Sequence, residues 1–164
     1  MKHISQSNFQ KDQLYPVIVR AVEELLKKNS GVSPLDVLLH TQRVTKQQVE
    51  DWRFGRIPYL ERVVVGNLSK MNRLLRILDL HARSLGLTAV QRVPHKSGRG
   101  GKRIVLRFSK SGDTGLEAAY SRHYLTNAAA QTELARQAKQ SEKAKRYAVQ
   151  RDERSRLRAL EDSD

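Results

Sequence analysis

The segment from Leu87 to Gly112 constrains the fold most, because it contains seven lysines and arginines and no acidic residue. These cations supply half of the chain's formal net charge of +14. Unpaired charges are too costly to bury, so one side of this segment must stay in solvent or on a ligand. Ordinary surfaces intersperse both signs of charge, and a one-sided segment therefore favours a polyanionic partner. The cations are Arg92, Lys96, Arg99, Lys102, Arg103, Arg107 and Lys110.

The same segment predicts a basic β-hairpin over about residues 87–109. Thr88–Val93 and Arg103–Phe108 are β-prone runs, and the connection between them is too rich in glycine for a helix. Alternation in the second run predicts one packed face and one charged face. The packed set is Ile104, Leu106 and Phe108, and the outward set is Arg103, Val105 and Arg107. Lysines and arginines also protect an edge hairpin from strand-to-strand association, and this second explanation stays open.

The length of 164 residues suits one domain of ordinary size. Large apolar residues concentrate before Leu125, which predicts a helical core domain over 1–125 and a charged, Ala-rich C-terminal helix or flexible tail over 126–164. The absence of cysteine excludes disulfides, cysteine-ligated zinc and a thiol nucleophile. No apolar run approaches the roughly 20 residues that cross a bilayer. We therefore expect a cytoplasmic protein with no membrane partner and no cofactor.

Apolar spacing and capping signals predict the helices of the core. A first helix runs from Leu14 or Tyr15 to Asn29, and a second follows Ser33 and Pro34 to His40. A capping box of Thr45 with Gln48 opens a third helix, which ends at Gly55.

The longest core helix is predicted from Ile57 to Gly86. Thr114 and Glu117 form a second predicted capping box, which opens a helix that reaches Leu125. Together these elements predict a mainly α fold with one β-hairpin, an α+β class.

The C-terminal stretch has the composition of a long, exposed helix. Glu142 with Arg146 and Asp152 with Arg156 are spaced for ion pairs on one helical face. A broken heptad through this stretch leaves open a homodimer or a protein partner bound by residues 126–164. Its positions are Leu134, Ala138, Ser141, Lys145 and Ala148.

Leu35 to Phe54 resembles the helix-turn-helix of bacterial DNA-binding regulators. The family pattern has apolar residues at four places, and this chain has an apolar residue at each of them. The chain departs from the pattern at Leu39 and Arg43. The four apolar residues are Leu38, Val44, Val49 and Trp52. The resemblance implies that the third helix enters the major groove, where its first side chains reach base edges or phosphates. Those side chains are Lys46, Gln47 and Gln48.

A helix-turn-helix followed by a basic hairpin is similar to the winged-helix arrangement, although a long helix separates the two units here. The resemblance implies a wing that touches the DNA backbone or the minor groove. Arg99 lies between two glycines, which would let the backbone approach closely while the guanidinium enters a narrow minor groove.

Two further segments, WRFGRIPYLE from Trp52 to Glu61 and LRFSKSG from Leu106 to Gly112, resemble a set of small bacterial proteins of unassigned function. This resemblance covers most of Val44 to Leu125 and implies a shared fold without an activity.

The residues do not point to an enzyme. His81 with Asp79 and His123 with Glu117 are the nearest approaches to acid–base pairs, but their helical spacing separates their faces. The glycine-rich connection lacks the ending of a phosphate-binding loop. We therefore expect a non-catalytic nucleic-acid-binding protein that prefers double-stranded DNA, with RNA or ribosome association and a protein adaptor as the alternatives. The expected contacts are Lys46, Gln47, Gln48, Arg92, Lys96, Arg99, Lys102, Arg103 and Arg107.

Overall fold

The computed structural model describes residues 3–100 and 103–161. Within these residues the chain forms six α-helices and three short strands, which is the α+β class that the sequence predicts. The helices are α1 (Tyr15–Lys28), α2 (Pro34–His40), α3 (Lys46–Arg53), α4 (Leu68–Ser84), α5 (Thr114–Tyr120) and α6 (Asn127–Glu161). The strands are β1 (Gly31–Val32), β2 (Thr88–Gln91) and β3 (Arg122–Leu125), joined antiparallel in the order β1-β3-β2.

Helices α2 and α3 begin where their local signals predict. The Ser33 hydroxyl accepts from the Asp36 amide at 3.2 Å, and the Asp36 carboxylate accepts from the Ser33 amide at 2.9 Å. Thr45 and Gln48 form the same reciprocal pair at the start of α3, at 3.2 and 3.0 Å. Each box satisfies two amides that a first helical turn leaves without partners, so both short helices are fixed at their N-termini.

The prediction of one long helix from Ile57 to Gly86 is wrong in its first third. A 3-10 turn at Leu60–Arg62 is followed by irregular chain, and α4 begins only at Leu68. Asn67 sets this start, because its side chain accepts from the Lys70 amide at 2.8 Å. Gly66 precedes it at φ 138°, which a helix does not allow.

The sheet pairs β2 with a partner that the sequence did not predict. Thr88–Gln91 lies against Arg122–Leu125, and Val90 is opposite His123. The prediction that Thr88–Val93 pairs with Arg103–Phe108 is therefore wrong. The expected helix through Leu125 also ends early, at Tyr120. Residues 122–125 form the central strand β3, which pairs with β1 on one edge and with β2 on the other. This central strand explains both the early end of the helix and the different partner of β2.

Glu117 does not close a capping box with Thr114. Asp113 caps α5 instead, because its carboxylate accepts from the Leu116 amide at 2.9 Å. The Glu117 carboxylate accepts from the main-chain amides of Phe108 and Ser109, at 3.0 and 2.7 Å. A residue predicted to act within its own helix thus holds a distant segment of chain.

Three aromatic rings join α3, residue 108 and α5 in the core. The centroids of Trp52 and Phe108 lie 4.9 Å apart, and those of Phe108 and Tyr120 lie 5.1 Å apart with nearly parallel planes. All three side chains are buried. Large aromatic rings contribute much of the apolar area in a small core, so this stack fixes the position of the chain around Phe108.

Within the described residues, helix α6 packs against the rest of the chain only near its start. Ala130 and Glu133 are buried, whereas every residue from 138 to 161 is exposed. Both predicted ion pairs are confirmed, with Arg146 to Glu142 at 3.0 Å and Arg156 to Asp152 at 3.2 Å. Among the helices of residues 3–100 and 103–161, none has the length and apolar character to span a membrane.

Candidate nucleic-acid interface

The acid-free segment forms a ribbon whose paired region is shorter than predicted. Its two sides meet in one antiparallel bridge between His95 and Val105. Lys96 N–H donates to the Ile104 carbonyl at 2.8 Å, and Leu106 N–H donates to the Pro94 carbonyl at 2.9 Å. We use the name basic ribbon for the described residues 94–100 and 103–110, which lie on either side of this bridge, and we call residues 107–110 its base.

The basic ribbon is fixed to the end of α3 and to the chain that follows it. The Trp52 indole N–H donates to the Arg107 carbonyl at 2.7 Å, and Ser97 N–H donates to the Arg53 carbonyl at 2.7 Å. The Glu61 carboxylate accepts from the Lys110 amide at 3.1 Å. These contacts place the ribbon beside the helix that carries the predicted base-reading residues.

The predicted alternation along the second side of the ribbon holds only at its base. Leu106 and Phe108 are buried as expected, whereas Ile104 is 53% exposed. The prediction that Ile104 packs on the core is therefore wrong. The core contacts the ribbon through Phe108 and Leu106, and residues nearer the tip lie beyond its reach.

The four apolar positions of the helix-turn-helix resemblance are all buried, at Leu38, Val44, Val49 and Trp52. In the turn, Gln42 takes a left-handed backbone at φ 57°. This places the left-handed conformation one residue before Arg43, where the family pattern has its usual glycine. The turn therefore reaches the geometry of a tight connection without glycine.

The three predicted contacts of α3 lie in its first turn and differ in availability. Lys46 and Gln47 are exposed, and Gln48 is half-buried. The side-chain oxygen of Gln48 accepts from the Thr45 main-chain amide in the capping box. The side-chain amide of Gln47 donates to the Asp51 carboxylate at 3.2 Å. Lys46 is therefore the side chain of this turn with most freedom to reach a ligand.

Arg53 is a candidate site residue that sequence reasoning did not assign to the site. A pairing of Arg53 with the carboxylates of α3 was conceivable, but Asp51 pairs with Arg56 at 2.8 Å. Arg53 is exposed and has no carboxylate at ion-pair distance within the described chain. Its position beside Ser97 follows from a long-range contact, which no local sequence signal reveals.

Lys96, Arg99 and Arg103 are exposed, and none forms an ion pair within residues 3–100 and 103–161. The Lys96 side chain lies over Gly55, where an added Cβ would stand 2.8 Å from the lysine Cε. Gly55 also has φ +76°, so this close approach requires glycine. Lys102 lies outside the described residues.

Arg92 and Arg107 have partners inside the protein. The Arg107 guanidinium donates to the carbonyls of Ser109, at 3.3 Å, and Lys110. The Arg92 guanidinium donates to the buried Glu133 carboxylate at 3.2 Å. A hydrogen bond from Arg136, together with those from Arg92 and Gln137, lowers the pKa of Glu133 to about 2. These two arginines stabilise the base of the ribbon, and any contact with a ligand competes with that role.

Neither of the two candidate acid–base pairs, whose helical spacing argues against contact, forms in the described chain. Asp79 accepts from the Tyr124 hydroxyl at 2.9 Å, and Glu117 holds the base of the ribbon, so neither carboxylate bonds the nearby histidine. In the part of the chain that the structure describes, no group of three or more His, Asp or Glu side chains is placed to hold a metal ion. Comparisons with protein-family models, with curated proteins and with solved structures found no match.

Proposed function

We propose that this protein binds nucleic acid without catalysis, with double-stranded DNA preferred to RNA, through the basic ribbon and the first turn of α3. One observation carries the proposal: Lys96, Arg99 and Arg103 are exposed and lack carboxylate partners in the described chain, on a ribbon whose base is fixed. Cations held in place without counter-charges bind phosphates and release condensed counterions. Phosphate contacts of this kind position a protein on a duplex.

Under this proposal α3 supplies any sequence readout. Lys46 suits guanine or phosphate, and Gln47 suits adenine, because these side chains match the acceptor and donor groups of those base edges. Gln48 contributes less, since its amide belongs to the capping box. Arg99 enters the minor groove, where a narrow groove concentrates negative potential.

The exposed aromatic residues favour a duplex over a single strand. Single-stranded nucleic acid is held largely by stacking of bases on aromatic rings. Among the described aromatic residues, Phe54 and Tyr147 are the ones with large exposed surface, and each already has a cation over its ring. The surface therefore offers few stacking sites.

The test is the salt dependence of affinity for a short duplex. Replacing Lys96, Arg99 and Arg103 together by alanine should reduce the slope of log affinity against log salt by up to about 3 units, since each phosphate contact contributes roughly 0.9. The matched control removes three exposed cations of α6 and should leave the slope nearly unchanged. Its positions are Lys139, Lys145 and Arg158.

An unchanged slope in the ribbon variant would remove the ribbon from the interface. Equal losses in both variants would show that net charge, rather than the ribbon, sets the affinity. Competition between the duplex and a structured RNA at fixed salt decides between DNA and RNA.

The adaptor alternative depends on the exposed part of α6. At 100° per residue, Val149, Leu157 and Leu160 fall within about 80° of one another, so the last turns of α6 carry a short exposed apolar face that a protein partner would use. A chain that ends after residue 140 keeps the buried contacts of Ala130 and Glu133. We expect it to bind the duplex within about twofold of the full chain, on the reasoning that exposed charges this distant are screened by salt. A loss of tenfold or more would place α6 in the interface.

A further inference from the structure

A cleft of about 370 Å³ opens where α2, α3, the basic ribbon and β3 meet. Four side chains that are cationic or can become so line it, namely Arg53, Arg92, His95 and His123. We propose that this cleft binds a phosphate group, supplied either by a free nucleotide or by a nucleic-acid strand. The site is separate from the cations at the ribbon tip, so it can bind a small phosphate ligand whether or not the ribbon binds a duplex.

The two arginines provide permanent positive charge from two separate segments that line the cleft. Arg53 comes from the end of α3 and has no carboxylate partner in the described chain. One guanidinium nitrogen of Arg92 bonds Glu133 at 3.2 Å, and another lies 3.5 Å from His123 Nδ1. The Arg92 side chain is still 41% exposed, so its remaining N–H groups can donate to a phosphate. Guanidinium groups match the geometry of phosphate oxygens.

Two carboxylates oppose this charge. Asp36 lines the same cleft, but its Oδ2 accepts from both the amide and the hydroxyl of Ser33, at 2.9 and 2.8 Å. It is thereby held in the cap of α2. Glu133 lies behind Arg92 and is shared between Arg92 and Arg136. With neutral histidines these three arginines, Arg53 included, outweigh the two acids by one charge, and each protonated imidazole adds another. Anion binding in the cleft should therefore be coupled to proton uptake.

His123 is the imidazole whose surroundings define this coupling. Burial lowers its pKa, and the charge of Arg92 lowers it further, whereas Asp36 from α2 and Glu133 from α6 act in the opposite direction. Arg53 of α3, His95 of the ribbon and Tyr120 of α5 complete the charged and titratable groups that line the cleft in the described chain. Burial raises the pKa of Tyr120, so its hydroxyl stays neutral. A bound phosphate neutralises the effect of the arginines and favours the imidazolium. Affinity should then rise as the pH falls below about 7, by up to about tenfold per pH unit for each proton taken up.

The experiment uses the full chain and observes the imidazole resonances of His95 and His123 by nuclear magnetic resonance. The probe is a thymidine dinucleotide, whose single phosphodiester keeps its charge between pH 5.5 and 7.5. Adenosine monophosphate and inorganic phosphate form the second and third arms. We expect saturable shifts of both histidines, a higher His123 pKa in the complex, and tighter binding at pH 6 than at pH 7.5.

Variants separate the site from general electrostatics. Arg53→Ala should weaken binding of the dinucleotide at least about fivefold. His123→Gln should remove most of the pH dependence of that binding. Arg158→Ala, at the far end of α6, is the matched control and should change neither. Because Arg53 is exposed, its replacement tests the cleft without risk to the core.

Binding of the monophosphate or inorganic phosphate would identify a free phosphate ligand as sufficient. Binding of the dinucleotide alone would assign the cleft to a strand. The absence of saturable shifts with all three probes, or equal weakening by Arg53→Ala and Arg158→Ala, would overturn the proposal. Neither result depends on the salt slope of the ribbon variant, so failure of this site and failure of duplex binding are distinguishable.

Discussion

The cations around Asp79 and the cations of the basic ribbon have opposite surroundings. The Asp79 carboxylate is buried and accepts a hydrogen bond from the Tyr124 hydroxyl. It also forms ion pairs with three arginines at 3.0 to 3.8 Å. The three arginines are Arg76, Arg83 and Arg122. Lys96, Arg99 and Arg103 face no carboxylate in the described chain. The comparison teaches that a high net charge combines two populations: cations that stabilise the fold and cations that have no carboxylate partner in the described chain.

Removing Asp79 is the most severe way to break this contrast. Asp79→Ala leaves a buried hydroxyl without its acceptor and three arginines without their shared anion, so we expect a loss of about 2 to 4 kcal/mol in the free energy of unfolding. Urea denaturation measures it. Asp79→Asn keeps an acceptor for Tyr124, so its free energy of unfolding should lie between those of the parent protein and Asp79→Ala. A loss below about 1 kcal/mol would contradict a structural role for this cluster.

The same variant tests whether freed arginines become ligand contacts. If net charge alone set the affinity, the single charge that Asp79→Ala adds would steepen the salt slope by about 1 unit, a third of the change expected for the triple ribbon variant. We expect no measurable change in the slope, because Arg76 and Arg83 lie on α4 and Arg122 lies on β3, outside the basic ribbon.

Glu133 is the intermediate case, because its partner Arg92 comes from the acid-free segment. Its pKa of about 2 lies below the ordinary value of 4.5, so its contribution is present above pH 4.5 and is lost as the pH falls toward 2. At pH 7, Glu133→Gln should lower the free energy of unfolding by about 1 to 2 kcal/mol. As the pH falls from 4.5 to 2, the variant should lose less stability than the parent protein does. Urea denaturation across that range measures both. Parallel stability curves for the two proteins would contradict this role, and Glu142→Gln, in an exposed pair, is the control.

His81 extends the comparison to a buried group that the fold keeps neutral. Neither of its ring nitrogens has a hydrogen-bond partner in the described part of the chain, and the Tyr15 ring stands edge-on with centroids 5.6 Å apart. Burial lowers its pKa below 6.5 despite the nearby Glu23. The unfolded chain therefore binds the proton first, and stability is lost as the pH falls below 6.5.

We expect His81→Leu to reduce this loss by up to about 1.4 kcal/mol per pH unit, the limit for one proton. Urea denaturation of both proteins between pH 7.5 and 5 measures the difference, which isolates His81 from His123, whose pKa is also lowered. An unchanged dependence on pH would show that the imidazole is hydrated when charged.

The smallest effect is expected where both partners are in solvent. The side chains of Arg156 and Asp152 are 79% and 69% exposed, and ion pairs of this kind are weak and screened by salt. Arg156→Ala should leave the urea midpoint unchanged within error. A measurable loss would show that α6 contributes to folding beyond its buried first turns.

The features that could be predicted from the sequence are those determined by neighbours in the chain. The N-cap at Ser33 and the capping box of Thr45 with Gln48 depend on residues close by in the chain, and both formed as expected. The box that Asp36 completes with Ser33 was not predicted. The strand at Thr88–Gln91 was also recognised, but its partner β3 is chosen by the whole sheet. Asn67 was overlooked because the apolar stripe continues through the break that it caps.

The candidate site divides in the same way. The exposure of Lys96, Arg99 and Arg103 agrees with the missing acids nearby in the sequence. The pairing of Arg92 with Glu133 and the place of Arg53 beside Ser97 depend on segments far apart in the chain. Sequence spacing carries no information about such meetings, so the cleft between α3 and the ribbon became visible only in three dimensions.

Glu61 and Glu117 hold the chain at the base of the ribbon, and both accept from main-chain amides there. Bonds of this kind, partly shielded from water, respond weakly to ionic strength, whereas phosphate contacts respond steeply. Under the proposed function, a rise in salt should thus release a bound polyanion while the ribbon keeps its shape. Repeated binding and release by changing salt alone, with no refolding between cycles, is then expected.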